Sequence, residues 1–199
     1  WGVRYVVFND HLPHARLAQG KRPTGMTGQA LKAGRNPDKH FEMMLDLHAN
    51  SARVPAALDR LCARLGDAKV TMGSHDTAEV EACHTWHARG VAIAEFPETL
   101  AAAETTRSTG GRVIMGAPNT VRGSSHKRNV GAREVIAAGL CDALASDYHY
   151  PSPRRAALAL VAEGLATWSE AWALISSGPA SLLGLTDRGT ITPGKRADL

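Results

Sequence analysis

Short apolar runs alternate with longer amphipathic stretches along most of the chain. The runs are Val6-Val7-Phe8, Val70-Thr71-Met72, Val91-Ala92-Ile93, Val113-Ile114-Met115 and Ala143-Leu144-Ala145. Each has the length of a buried strand and is bounded by turn-forming or polar residues. Each also gives way to polar or ligand-type residues: Asn9-Asp10-His11, Ser74-His75-Asp76, Glu95, Gly116-Ala117-Pro118-Asn119 and Ser146-Asp147-Tyr148-His149. Between the runs, Leu58, Leu61 and Leu65 recur at helical spacing and predict a helix over 54–65. Asn36-Pro37-Asp38 opens another helix toward Leu47. Asp76 reads as a helix cap, with Glu79 three residues later as in a capping box, and that helix stops near Gly90. Pro97 fits the first turn of a helix reaching Ser108. Further helices are expected over 129–138, 153–161, 169–176 and 179–183. The stretch 20–37, rich in glycine and proline, reads as a functional loop or flexible insertion.

Strands that alternate with helices through short links imply parallel pairing with crossover helices, an α/β fold. A dinucleotide-binding sheet would carry G-x-G-x-x-G after its first strand, and none of these strands leads into one. Ligand-type residues after successive strands instead favour a (β/α)8 barrel of the TIM type, where strand ends converge on one axis.

The chain has 199 residues, 44% of them hydrophobic, enough for one domain with a real core. Cys62, Cys83 and Cys141 are scattered and odd in number, which argues against a disulfide framework and fits a reducing cytoplasm. No apolar run approaches the roughly 18 residues of a membrane span, so no membrane partner is expected. No Lys/Arg block or aromatic-basic interleaving points to nucleic acid. The formal charge of +4 mildly favours anionic ligands. The chain opens on Trp1, directly before a buried-type run, and closes inside a strand-like stretch over 189–199. It therefore reads as a piece of a longer protein.

Asp147 is the leading candidate for chemistry, because a strand-end carboxylate can ligate a divalent metal and take a proton from water. An Asx-turn or helix cap is its ordinary alternative. His75 offers an imidazole suited to zinc, manganese or iron. Asp10 and His11 could each ligate, or one could orient the other. Glu95 is a carboxylate ligand or the partner of a basic neighbour, and Asp76 a helix cap before a ligand. The loop after the fourth strand gathers donors, Asn119, Arg122, Ser124, Ser125, His126, Lys127, Arg128 and Asn129, that could cradle phosphate or simply face solvent. His84 and His87 lie on neighbouring turns of what reads as a solvent-facing helix, and His14, His40 and His48 have no supporting pattern.

The tail Pro179-Ala180-Ser181-Leu182-Leu183-Gly184-Leu185, with Gly189-Thr190-Ile191 and Gly194-Lys195-Arg196-Ala197-Asp198-Leu199, resembles the C-terminus of the amidohydrolase superfamily. That family has Asn where this chain has Gly178. More specifically, Asn9-Asp10-His11, Gly73-Ser74-His75-Asp76, Ala94-Glu95-Phe96-Pro97, Met115-Gly116-Ala117-Pro118-Asn119, Val121-Arg122-Gly123-Ser124-Ser125-His126 and Ser146-Asp147-Tyr148 resemble the ribosylphosphonate triphosphate diphosphatases of the carbon–phosphorus lyase pathway. The resemblance implies barrel strands 4 to 8 over 1–188 and, over 189–199, the start of a strand returning to a small β-sandwich. It implies a divalent metal ion (zinc, manganese, iron or magnesium) held by His75, Asp147, His11 and Glu95, with Asp10 and Asp76 behind them and Asp147 as general base. Asn119, Arg122, His126 and Asn129 would hold a phosphorylated ribose phosphonate. The implied reaction converts α-D-ribose 1-methylphosphonate 5-triphosphate to the 5-phosphate and pyrophosphate, and homo-oligomerisation is compatible with it. The superfamily's His-x-His pair on its first barrel strand is not in this chain. Two other readings stand beside this one: hydrolysis of a C–N bond at the same metal site, and a non-catalytic fragment that binds phosphate.

Overall fold

In the computed structural model, which describes residues 2–123 and 129–196, five strands form one parallel sheet. They are β1 (Tyr5–Phe8), β2 (Thr71–His75), β3 (Ile93–Glu95), β4 (Arg112–Gly116) and β5 (Ala143–Ala145), in the spatial order of the sequence. A doubly wound sheet reverses direction from a central strand, whereas consecutive barrel staves follow one another around the axis. The sequential order therefore matches a sector of a barrel.

The chain divides into two compact units, residues 10–61 and residues 1–9 with 62–199. The first unit holds α1 (His14–Leu17), α2 (Met26–Lys32), α3 (Pro37–Ala49), a 3-10 turn (Ser51–Arg53) and the start of α4 (Val54–Asp67). Leu17, Met26 and Met44 form its core, with Leu12, Phe41 and Leu45 packed against them. Asn36 caps α3, accepting from the N–H groups of Asp38 and Lys39 at 2.9 and 3.1 Å, and Pro37 occupies the first turn. The stretch 20–37 is not the loop its composition suggested. Burial of Met26 and Ala30 folds its middle into α2.

The second unit carries the sheet with α5 (Val80–Ala88), α6 (Leu100–Ser108), α7 (Ala117–Arg122), α8 (Ala132–Ala137), α9 (Ser152–Ala162), α10 (Trp168–Ala173) and α11 (Ser177–Leu182). Side chains alternate across the pleat. Val113, Met115 and Leu144 face the helices and join Ala103, Val135, Ala156 and Leu160 in the main core. On the opposite face Ile93, Ile114 and Ala143 cluster with Tyr5, Phe96, Ala145 and Leu182.

At the entry to β5, Asp142 accepts from Arg107 at 2.9 Å, Arg112 at 2.7 Å and the Val113 N–H at 2.9 Å. Its own N–H donates to Val113 O at 2.8 Å. Gly178 presses against this point: a Cβ there would lie 2.2 Å from the Asp142 carbonyl oxygen. Glycine is what this close approach requires.

Three helix starts differ from expectation. Asp76 is not a cap, because α5 begins at Val80 after Glu79. Thr99, not Pro97, opens α6, accepting from the Ala102 N–H at 3.1 Å while donating to Ala78 O at 2.7 Å. The segment after β4 turns straight into α7 and stays helical to Arg122 rather than forming a loop. Residues 189–196 are turns and coil.

Candidate functional site

The sheet register sets His75 beside Glu95, each the last residue of its strand. Paired residues of a parallel ladder point to the same face, so the two side chains meet: Glu95 Oε2 lies 2.9 Å from His75 Nδ1. The other ring nitrogen, Nε2, lies 3.5 Å from Asp76 Oδ1. Both His75 and Glu95 are largely sheltered, with side-chain exposures of 18% and 19%. A carboxylate on Nδ1 places the proton there and leaves the Nε2 lone pair on the side of Asp76, the arrangement that presents an imidazole to a cation.

The backbone around this pair is unusual. Asp76, Phe96 and Asp147 have φ of 52°, 55° and 50°, and they stand just beyond the ends of β2, β3 and β5. The left-handed region costs an L-residue about 1–2 kcal/mol, and only glycine, Asn and Asp enter it readily. Tertiary hydrogen bonds hold two of the three: the Asp76 N–H donates to Glu95 O at 3.1 Å, and the Phe96 N–H to Ile114 O at 2.9 Å. Such strain gathers where side-chain placement matters more than local preference. The Phe96 ring meets His75 in a T-shaped contact, with centroids 5.2 Å apart.

Tyr5 shares this face of the sheet. Its hydroxyl is buried with no hydrogen-bond partner among the described residues. Burial, and then the negative charge of Glu95, push its pKa well above the usual phenol value, so it stays a neutral O–H.

Asp147, Asn119, Arg122 and Asn129 belong to the same unit as His75 and Glu95. Asp147 is exposed, two residues past β5. The next residues make a contact that the sequence reading did not single out: His149 Nδ1 and the buried Ser152 hydroxyl are 2.7 Å apart. Asn119 lies within α7, and Arg122 ends that helix, its guanidinium 5.8 Å from the centre of the Tyr148 ring. Asn129 donates to Glu98 at 2.9 Å. His126 lies outside the described residues.

Asp10 and His11 belong to the unit 10–61, where His11 is exposed. Asp10 accepts from the Leu12 N–H at 2.9 Å and pairs with His14 Nε2 at 3.0 Å. Burial opposes its charge, but the Leu12 N–H and His14 outweigh that and hold its pKa below the usual value. His14 Nδ1 also meets His48 Nδ1 at 2.8 Å. No sequence spacing announces that pair, because its members are 34 positions apart on two helices.

No protein-family model matches the chain. Over 134 residues, 66% of its length, it is 46% identical to the alpha-D-ribose 1-methylphosphonate 5-triphosphate diphosphatase of Escherichia coli (strain K12). The match covers 35% of that protein, so the chain spans about a third of its curated relative. Two uncharacterized metal-dependent hydrolases, from Pyrococcus furiosus and Pyrococcus horikoshii OT3, superpose with TM-scores of 0.54 over 72% of the chain, at 16% and 13% identity. Those alignments take in 35% and 36% of the two solved chains. The five-strand sheet and its helices thus share the α/β fold of these metal-dependent hydrolases, and the sequence is similar to that of a ribosyl triphosphate diphosphatase.

Proposed function

We propose that the chain forms part of a divalent-metal-dependent hydrolase that converts α-D-ribose 1-methylphosphonate 5-triphosphate to α-D-ribose 1-methylphosphonate 5-phosphate and pyrophosphate in the cytoplasm. The observation that carries the reading is the strand-end arrangement of Glu95 on His75 Nδ1 with Asp76 toward Nε2. The chain's similarity to the diphosphatase supports the choice of substrate.

The donor set fits a divalent cation. An imidazole nitrogen and a carboxylate oxygen 3.5 Å apart suit zinc, manganese or iron, and a second carboxylate orients the imidazole from behind. His75 and Asp76 are the proposed ligand pair of this unit, with Glu95 as the orienting partner. Asp147 is the carboxylate proposed to join them from the end of β5. His11, three residues past the end of β1, is the sequence's candidate for a further ligand. A bound divalent cation supplies Lewis acidity that brings the pKa of water from 15.7 toward about 7.

The chain's own groups do the rest. Glu95 keeps the Nδ1–H tautomer of His75, so that Nε2 can donate its lone pair. Asp147 accepts the proton of the attacking water. Water adds in line to a phosphorus of the triphosphate, the P–O bond to the pyrophosphate group breaks, and the bond's electron pair leaves with that group. Arg122 meets the charge gathering on the departing oxygens, and Asn119 and His126 bind the phosphates beside it. Asn129, which donates to Glu98, is the fourth residue proposed to bind the phosphates.

Metal analysis tests the reading directly. The purified chain should retain a divalent ion that His75→Ala abolishes. A wild-type chain with no affinity for zinc, manganese or iron would overturn it. Arg122→Ala, followed by 31P NMR of pyrophosphate release, separates the proposed reaction from C–N bond hydrolysis, which would lose little.

A further inference from the structure

We infer that Phe96 is a positioning residue that fixes the plane of the His75 imidazole. The inference rests on the proposed role of His75 and deepens it. An extended residue following Glu95 would point to the opposite face of the sheet, toward the helices. Phe96 does not: its φ of 55° turns the side chain back onto the face that carries Glu95, where it joins Ile93, Ile114 and Ala143. The turn is locked by its own N–H, which continues the β3–β4 ladder one residue further by donating to Ile114 O at 2.9 Å. There the ring meets His75 at 5.2 Å and an interplanar angle of 67°. On another side lies Gly116, where a Cβ would come 3.7 Å from Phe96 Cε1, so the ring is also backed by β4.

Glu95 and Phe96 do different work on the imidazole. Glu95 fixes which nitrogen carries the proton. Phe96 fixes how the ring is rotated about its bond to Cβ, and so where Nε2 aims. A bulky residue in left-handed backbone is rare, and simple core filling does not call for it, because an extended residue could fill space on the helix side without strain.

Phe96→Gly suits the backbone and removes the ring, and Phe96→Leu keeps apolar bulk, so one of the two retains the fold. Phe96→Tyr is the conservative control. Two readouts apply: the His75 imidazole signals in long-range 1H–15N spectra of the metal-free chain, and Co2+ affinity with its visible spectrum. Wild type and Phe96→Tyr should show one Nδ1–H tautomer with sharp signals. The Gly and Leu variants should show a tautomer mixture or exchange broadening, and Co2+ affinity about 10- to 100-fold weaker. If no protein in the set binds Co2+ yet the His75 signals change in this way, the positioning role stands and the metal reading falls. Unchanged His75 signals in a folded Gly or Leu variant would overturn the positioning role.

Discussion

Replacing Asp142 with alanine removes one side chain and unties three donors at the entry to β5. The largest loss is at Val113, a fully buried residue whose N–H would keep no acceptor. An orphaned buried donor costs about 1–3 kcal/mol. The two arginines contribute less. Arg107 and Arg112 have side-chain exposures of 33% and 50%, so water can take over much of their solvation, and each pair is worth about 0–1 kcal/mol. Together these give a destabilisation of about 3 kcal/mol, or roughly 6–12 °C in Tm for a chain of this size. Asp142→Asn keeps an oxygen for the Val113 N–H and should cost less than half as much. Urea unfolding followed by far-UV circular dichroism measures both variants against wild type. An alanine variant within about 0.5 kcal/mol of wild type would refute the view that this carboxylate ties β4, β5 and α6 together.

Gly178→Asn should destabilise the chain by at least about 2 kcal/mol, because its Cβ would meet the Asp142 carbonyl. The same urea melts report this, and an unchanged midpoint would contradict the close packing of α11. Burial pushes the Cys83 thiol up and the Cys141 thiol up to about 12, so Cys141 stays protonated through pH 9 and Cys83 is enclosed as well as a weaker acid than a free thiol. Alkylation by iodoacetamide followed by mass spectrometry should therefore leave these two unlabelled in the folded chain. Fast labelling of Cys141 at pH 8 would show that its thiol is not enclosed.

The strands were legible because each apolar run is short and gives way to turn-forming, polar or ligand-type residues. That same boundary marked His75, Glu95 and Asp147. What local sequence could not carry was backbone conformation fixed from elsewhere. Asp76 and Glu79 have the spacing of a capping box, yet the Asp76 N–H is taken by Glu95 O on a neighbouring strand, and the helix starts later. Phe96 is likewise bent by Ile114 O, eighteen positions on, and nothing in Glu95-Phe96-Pro97 announces a left-handed residue. The stretch 20–37 misled through composition: its glycines and prolines, Gly28 apart, flank a helix whose buried Met26 and Ala30 anchor it. At α10, Thr167 and Glu170 form a reciprocal capping box, a spacing that the sequence reading did not single out.

The sequential strand order has a consequence for how the sheet assembles. From β2 onward, each strand finds its neighbour across about 15–30 residues, whereas β1 must wait for a partner about 60 residues away. Closing the longer loop costs roughly 1 kcal/mol more in chain entropy, before the helices between them are counted. The four later strands should therefore nucleate together, with β1 joining last. Mutations in β4 and β5 would then slow folding, while those in β1 would mainly speed unfolding.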